Sequence, residues 1–137
     1  MPSDMPPIAT LVAIRAAHHP EATPKYDRVV FEFDGPIPLL RIEYTQQMIE
    51  DGSGKPVQIA GHAILLVQLS PARAHNDAGQ PTAPRRVTPN LLIVKEIVGA
   101  GDFEATLTYG IGLAQKSEAR VLTLAGPNRL VIDLLRV

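Results

Sequence analysis

An all-β fold of two packed sheets is what this sequence predicts, and three observations carry the prediction. Apolar and polar residues alternate with a period of two through most of the chain, as strands with one buried face require. Clusters of Gly, Pro, Asn and Asp separate these stretches. No segment sustains the 3.6-residue apolar period of a helix. Short strands punctuated in this way build a small two-sheet β-sandwich, with a partly closed β-barrel as the alternative.

In chain order, residues 1–7 hold three prolines and read as a linker or a disordered N-terminus. Residues 8–137 then read as a single β-domain. Ile8 to Ala17 is apolar and β-tolerant and stops before His18-His19-Pro20. Tyr26 to Asp34 alternates cleanly, with Val29, Phe31 and Phe33 on one face and Arg28, Val30 and Glu32 on the other. Leu40, Ile42 and Tyr44 form the next inward set, with Arg41 and Glu43 outward. Asp51-Gly52-Ser53-Gly54 is a turn, followed by a short strand at Val57 to Ala60 and a buried strand at His62 to Leu69. Ser70 to Asn90 is a long loop of a kind that is usually functional or mobile. Leu91 to Val98 reads as strand, although Lys95-Glu96 would tolerate a helix end. Asp102 to Leu113 is the longest alternating stretch. It sets Phe103, Ala105, Leu107, Tyr109, Ile111 and Leu113 on one face and Asp102, Glu104, Gly110 and Gly112 on the other. Arg120 to Leu124 and Arg129 to Leu135 close the chain around a Gly126-Pro127-Asn128 turn.

The segment Arg28-Val29-Val30-Phe31-Glu32-Phe33 recurs in pattern as Arg129-Leu130-Val131-Ile132-Asp133-Leu134. Side by side and antiparallel, with Val30 opposite Val131, Arg28 faces Asp133 and Glu32 faces Arg129. Parallel pairing in that alignment would oppose like charges. Each cross-strand pair is worth roughly 0.2–1 kcal/mol, so antiparallel pairing is predicted.

The 137 residues carry a formal net charge of −1, with 45% apolar and 20% charged residues. These are globular values, and they disfavour whole-surface attraction to nucleic acid or anionic lipid. The chain has no cysteine, which excludes disulfides, thiolate metal sites and cysteine nucleophiles. It has no tryptophan and six other aromatic residues, so a conventional aromatic lectin platform is a poor fit. The N-terminus lacks the pattern of a signal peptide, and no apolar run approaches the roughly 18 residues of a membrane span. As it stands the sequence reads as cytosolic, or as one from which an export segment has been removed.

Candidate chemistry is sparse. His18 and His19 point to opposite faces of an extended chain, so they cannot share one ion, and no metal or cofactor is expected. Asp102 and Glu104, on one strand face, would sit roughly 6–7 Å apart, a spacing that suits paired-carboxylate chemistry and equally an ordinary wet strand. Gly110 and Gly112, on that same face, mark close approach by another backbone or a ligand. Arg73, His75, Arg85 and Arg86 fall in the long loop and form a small cationic patch or ordinary solvated charges. The turns at Glu50-Asp51-Gly52-Ser53-Gly54 and Asn76-Asp77-Ala78-Gly79 lack the ligand ladder of an EF-hand. Gly110-x-Gly112 lacks the rest of a dinucleotide fingerprint.

The segments "YDRVVFEFDGP", "RIEY", "DGSGKPV", "ARAH", "GAGDFEATLTYGIGL" and "GPNRLVIDLLRV" together resemble the AMIN-like domain of actinobacterial and related lipoproteins. That domain is distantly similar to the AMIN domain, the targeting region of cell-wall amidases and pilus secretins. Matching positions are Asp27, Arg28, Phe31, Asp102, Phe103, Glu104, Gly110, Gly112, Arg129 and Asp133. The resemblance implies a β-sandwich, an extracytoplasmic setting and a non-catalytic role in localisation, with peptidoglycan or an envelope protein as partner. The chain departs from the pattern in lacking an export signal and lipobox cysteine, and in placing Ala105 where glycine is expected. The first expectation is therefore an envelope-binding module using Asp102, Glu104, Gly110 and Gly112, with Arg73, His75 and Arg85. The alternatives are self-association through a strand edge, and a small hydrolase using Asp102 or Glu104 with a histidine brought close by folding.

Overall fold

The computed structural model describes residues 8–136; the linker expected at residues 1–7 lies outside them. Among the described residues ten strands follow one another: β1 Ala9–His19, β2 Tyr26–Asp34, β3 Leu39–Thr45, β4 Ala63–Ser70, β5 Ala72–Arg73, β6 Arg86–Val87, β7 Val94–Phe103, β8 Thr106–Leu113, β9 Glu118–Leu124 and β10 Asn128–Leu135. They form two five-stranded sheets, ordered β5-β1-β2-β10-β9 and β3-β4-β8-β7-β6. The fold is an all-β, two-sheet sandwich, one of whose sheets curves like half a barrel.

Alternation explains the core. In β2, Asp27, Val29, Phe31 and Phe33 point inward and are buried. From the facing sheet come Leu65, Val67 and Leu69 of β4 and Leu107, Tyr109, Ile111 and Leu113 of β8. Burying each large apolar side chain contributes about 1.5–3 kcal/mol. Phe31 and Tyr109 meet edge to face across the sandwich, their ring centres 5.9 Å apart. In β1 the extra residue Val12 forms a bulge, which lets Leu11 and then Ile14 both face the core.

β10 lies antiparallel to β2, with Val131 opposite Val30, Asp133 opposite Arg28 and Arg129 opposite Glu32. Arg28 donates to both Asp133 oxygens, at 2.8 and 3.1 Å. Glu32 and Arg129 face each other but find other partners. Arg15 takes Glu32 at 2.8 Å, and Arg129 donates to the Pro127 and Ala125 carbonyls.

Three expectations are corrected. Asp102 to Leu113 is not one strand: β7 and β8 are joined by a two-residue turn at Glu104-Ala105, both at positive φ (52° and 60°). The turn reverses the alternation, so Phe103 pairs with Thr106 on the outer face and Asp102 with Leu107 on the core-side face. Leu91 to Ile93 is not strand; β7 begins at Val94 and runs on to Phe103. Val57 to Ala60 is not strand but part of a cover over the outer face of β7 and β8. There Val57, Ile59 and Met48 pack on Val98, Ala100 and Leu66 in a second small core.

Candidate functional site

A cleft of about 770 Å³ opens along β7, between the segment around Glu50–Gly52 and the long loop. Both walls are tied to β7 through the backbone. Asp51 donates its N–H to the Ala100 carbonyl at 2.8 Å, and Gly99 donates to the Arg85 carbonyl at 2.7 Å. Gly99 and Gly101 line it without side chains. Its polar lining is His75, Arg85, Glu50, Asp51 and Asp102, and Phe103 stands at its rim, 69% exposed.

Asp102 and His75 come together here. His75 Nδ1 lies 2.6 Å from Asp102 Oδ2, and the same oxygen accepts the Ala74 N–H at 3.0 Å. A histidine does therefore reach this carboxylate, as a hydrolase would require. Among the described residues the lining holds no serine, threonine or cysteine beside the pair. What the pair visibly does is fasten the start of the long loop to the end of β7. A second pair has the same form: Asp27 accepts His18 Nδ1 at 2.6 Å and the N–H groups of Ile93 and Val94 at 2.6 and 2.9 Å. Tyr109 closes the floor of the cleft. Burial, and secondarily the Asp102 charge, push its phenol up to about 12, so its hydroxyl donates to the Pro84 carbonyl at 2.9 Å throughout the physiological range.

The other candidate residues go elsewhere. Glu104 sits in the exposed β7–β8 turn and shares no strand face with Asp102. Gly110 and Gly112 do not offer a ligand surface, because the cover lies against them. A methyl on Gly112 would overlap the Ala60 carbonyl, and one on Gly110 would overlap the Met48 sulfur. The cationic patch dissolves into separate ion pairs: Arg73 with Asp77 at 2.8 Å, Arg85 with Glu50 at 2.7 Å and Arg86 with Glu96 at 2.8 Å. Only His75 and Arg85 of that group line the cleft. Glu96 holds the cover in place by accepting the Ala60 N–H and the Thr88 hydroxyl. Burial raises its carboxyl, but these bonds and Arg86 hold it below the usual range. Among the described residues no group of three or more His, Asp or Glu is placed to hold a metal ion.

Phe103 is the residue that sequence reasoning missed. Its apparent alternation with Leu107 and Tyr109 placed it inward. The signal lay in the departure at Ala105: a glycine expected there marks a left-handed turn, and a turn re-aims everything before it.

A family model for the AMIN-like domain matches residues 9–136. The chain belongs to the AMIN-like domain family. No curated protein and no solved structure matches it. Domains of this family are in general non-catalytic, cell-wall-related targeting modules and are typically extracytoplasmic. No helix among the described residues is long and apolar enough to cross a membrane.

In this AMIN-like domain most positions that carry the resemblance have a folding role. Phe31 is core. Gly110 and Gly112 admit the cover. Asp27 and Asp102 hold backbone amides. Asp133, fully buried, binds Arg28 and Arg120, both of which also lie about 5.5 Å from the Tyr26 ring centre. Phe103 and Glu104 are the exceptions: both are exposed at the tip of the β7–β8 hairpin.

Proposed function

We propose that this AMIN-like domain is a non-catalytic localisation module that binds peptidoglycan in the cleft along β7. The observation that carries the reading is Phe103, a large apolar ring 69% exposed at the cleft rim. An exposed aromatic beside a cleft with a few convergent polar groups is the form of a ligand site, and its flat face suits a sugar ring. The polar groups suit the rest of such a polymer. Glu50 and Asp51 accept from hydroxyls, amides and ammonium groups, while Arg85 and His75 donate to carboxylates. The volume falls within the range of sites for ligands of a few rings. The family's extracytoplasmic habit supports a setting in the cell envelope.

Retention on purified, insoluble peptidoglycan tests this. The wild-type domain is expected to co-sediment with it at moderate salt. Phe103→Ala, which removes a ring the core does not use, should weaken retention about five- to tenfold, as loss of an aromatic anchor does. Val121→Ala, at an exposed apolar residue outside the cleft, should leave it unchanged. No retention of the wild type, or equal retention of Phe103→Ala, overturns the reading.

A further inference from the structure

Among the described residues, two strands of full length stand at sheet edges: β9 in one sheet and β3 in the other. Each has seven residues. An unpaired edge offers a row of N–H and C=O groups to another strand, and proteins usually block it with proline, lysine, a bulge or shortness. β3, Leu39-Leu40-Arg41-Ile42-Glu43-Tyr44-Thr45, has no proline, lysine or bulge, and its two charged residues, Arg41 and Glu43, are of opposite sign. Its core-side row is also incompletely covered. Leu40, Ile42 and Tyr44 are half-buried, whereas Leu65, Val67 and Leu69, their partners on β4, are at 2% exposure or less. Beside them Leu39 is 80% exposed.

The charges on β3 say what fits there. Arg41 and Glu43 point outward two residues apart, 71% and 50% exposed, and bind each other only loosely at 3.6 Å. Laid antiparallel against a second β3 with Ile42 on the two-fold axis, the strand sets Arg41 opposite the second copy's Glu43, and Glu43 opposite its Arg41. Leu40 then faces Tyr44, and Ile42 faces Ile42, so each copy extends the other's half-covered inner row. Parallel pairing in the same alignment would set arginine against arginine. β9 does not share this property: a two-fold at Val121 opposes Arg120 to Leu122 and Glu118 to Leu124.

We infer that β3 is a self-complementary docking edge through which two copies of this chain join their five-stranded sheets into one ten-stranded sheet. Such an interface is closed by its two-fold and stops at the dimer. With seven residues a side it is small, so it is weak and concentration-dependent in solution. On a repeating polymer it would set two copies of one molecular face side by side, where modest affinities combine.

Sedimentation velocity across the micromolar-to-millimolar range is the test. The wild-type chain should pass from monomer to dimer and no further. Arg41→Glu or Glu43→Arg alone opposes like charges at two places and should weaken the dimer about tenfold or more. The double variant Arg41→Glu/Glu43→Arg should restore it, and so should mixing the two single variants. The cysteine-free sequence permits a second, independent readout. Opposed strand residues lie about 4.5–5.5 Å apart, which a disulfide spans, so Ile42→Cys should oxidise to a covalent dimer and Val121→Cys on β9 should not. A wild-type chain that stays monomeric throughout, grows beyond the dimer, or is indifferent to the charge swaps overturns the inference; so does Ile42→Cys that fails to cross-link.

Discussion

Ala105 shows what one residue can disclose. It holds φ of 60° beside Glu104 at 52°, a region where an L side chain costs roughly 1–2 kcal/mol. Glycine pays no such penalty, although it loses more entropy on folding. Ala105→Gly should therefore stabilise the domain by about 0.5–1 kcal/mol, read as a higher urea midpoint with an unchanged slope. A loss of stability instead would mean the chain does not turn there. Asp133 supplies the second prediction at this scale. Burial pushes its carboxyl up, but the hydrogen bonds from Arg28 and Arg120 outweigh that and hold it below the usual range. A carboxyl depressed by folding stabilises fully above its unfolded pKa and loses that contribution as pH falls through its folded value. Asp133→Asn should cost about 1.5–3 kcal/mol at neutral pH. The gap to wild type should narrow below about pH 4, the unfolded value, because the wild type weakens with acid there while the variant lacks this dependence. Parallel urea titrations from pH 7 to the acid limit of folding would show it, and a gap constant in pH would refute it.

Among the elements, those that pair by a repeated pattern were legible and those set by a turn or a cover were not. β2 and β10 could be aligned residue by residue, because alternation fixes which face is buried and opposite charges fix the direction. The β7–β8 hairpin was hidden. Glu-Ala carries none of the usual left-handed turn chemistry, and Phe103 happens to continue the apolar alternation of β8. Gly110 and Gly112 announced a close approach, yet only the fold reveals that the approaching backbone is the chain's own. His75 reaches Asp102 across 27 residues, a distance in sequence that no local pattern encodes. The cover gives a graded test. A methyl at Gly112 meets the Ala60 main chain, whereas one at Gly110 meets the Met48 side chain. Backbone must shift for the first, and a flexible thioether can swing away for the second. Gly112→Ala should cost about 1–3 kcal/mol and Gly110→Ala distinctly less, both measured by denaturant unfolding. The reverse order would mean that the segment around Ala60 does not lie on β8.

For the whole molecule the question is what joins the two sheets besides apolar contact. Their inner faces interlock through Phe31 and Tyr109, but apolar surfaces alone can slide. Asp27 prevents this. It is fully buried in the middle of one sheet, and a single oxygen, Oδ2, accepts the Ile93 and Val94 N–H groups at the start of β7 in the other. Its second oxygen takes His18. Both amides donate to this one oxygen, so the carboxylate satisfies groups that would otherwise be buried unpaired. The two replacements of Asp27 therefore separate geometry from charge. Asparagine keeps one carbonyl oxygen able to accept both amides and should cost about 1–2 kcal/mol. Alanine abandons two buried donors and leaves a void, and should cost about 3 kcal/mol or more. That is a large share of the 5–15 kcal/mol typical of a domain. Hydrogen exchange gives the decisive readout: in Asp27→Ala the Ile93 and Val94 amides should lose protection ahead of the β2–β10 ladder, opening the sandwich at this seam first. If both regions lose protection together, Asp27 contributes to global stability without tying the sheets.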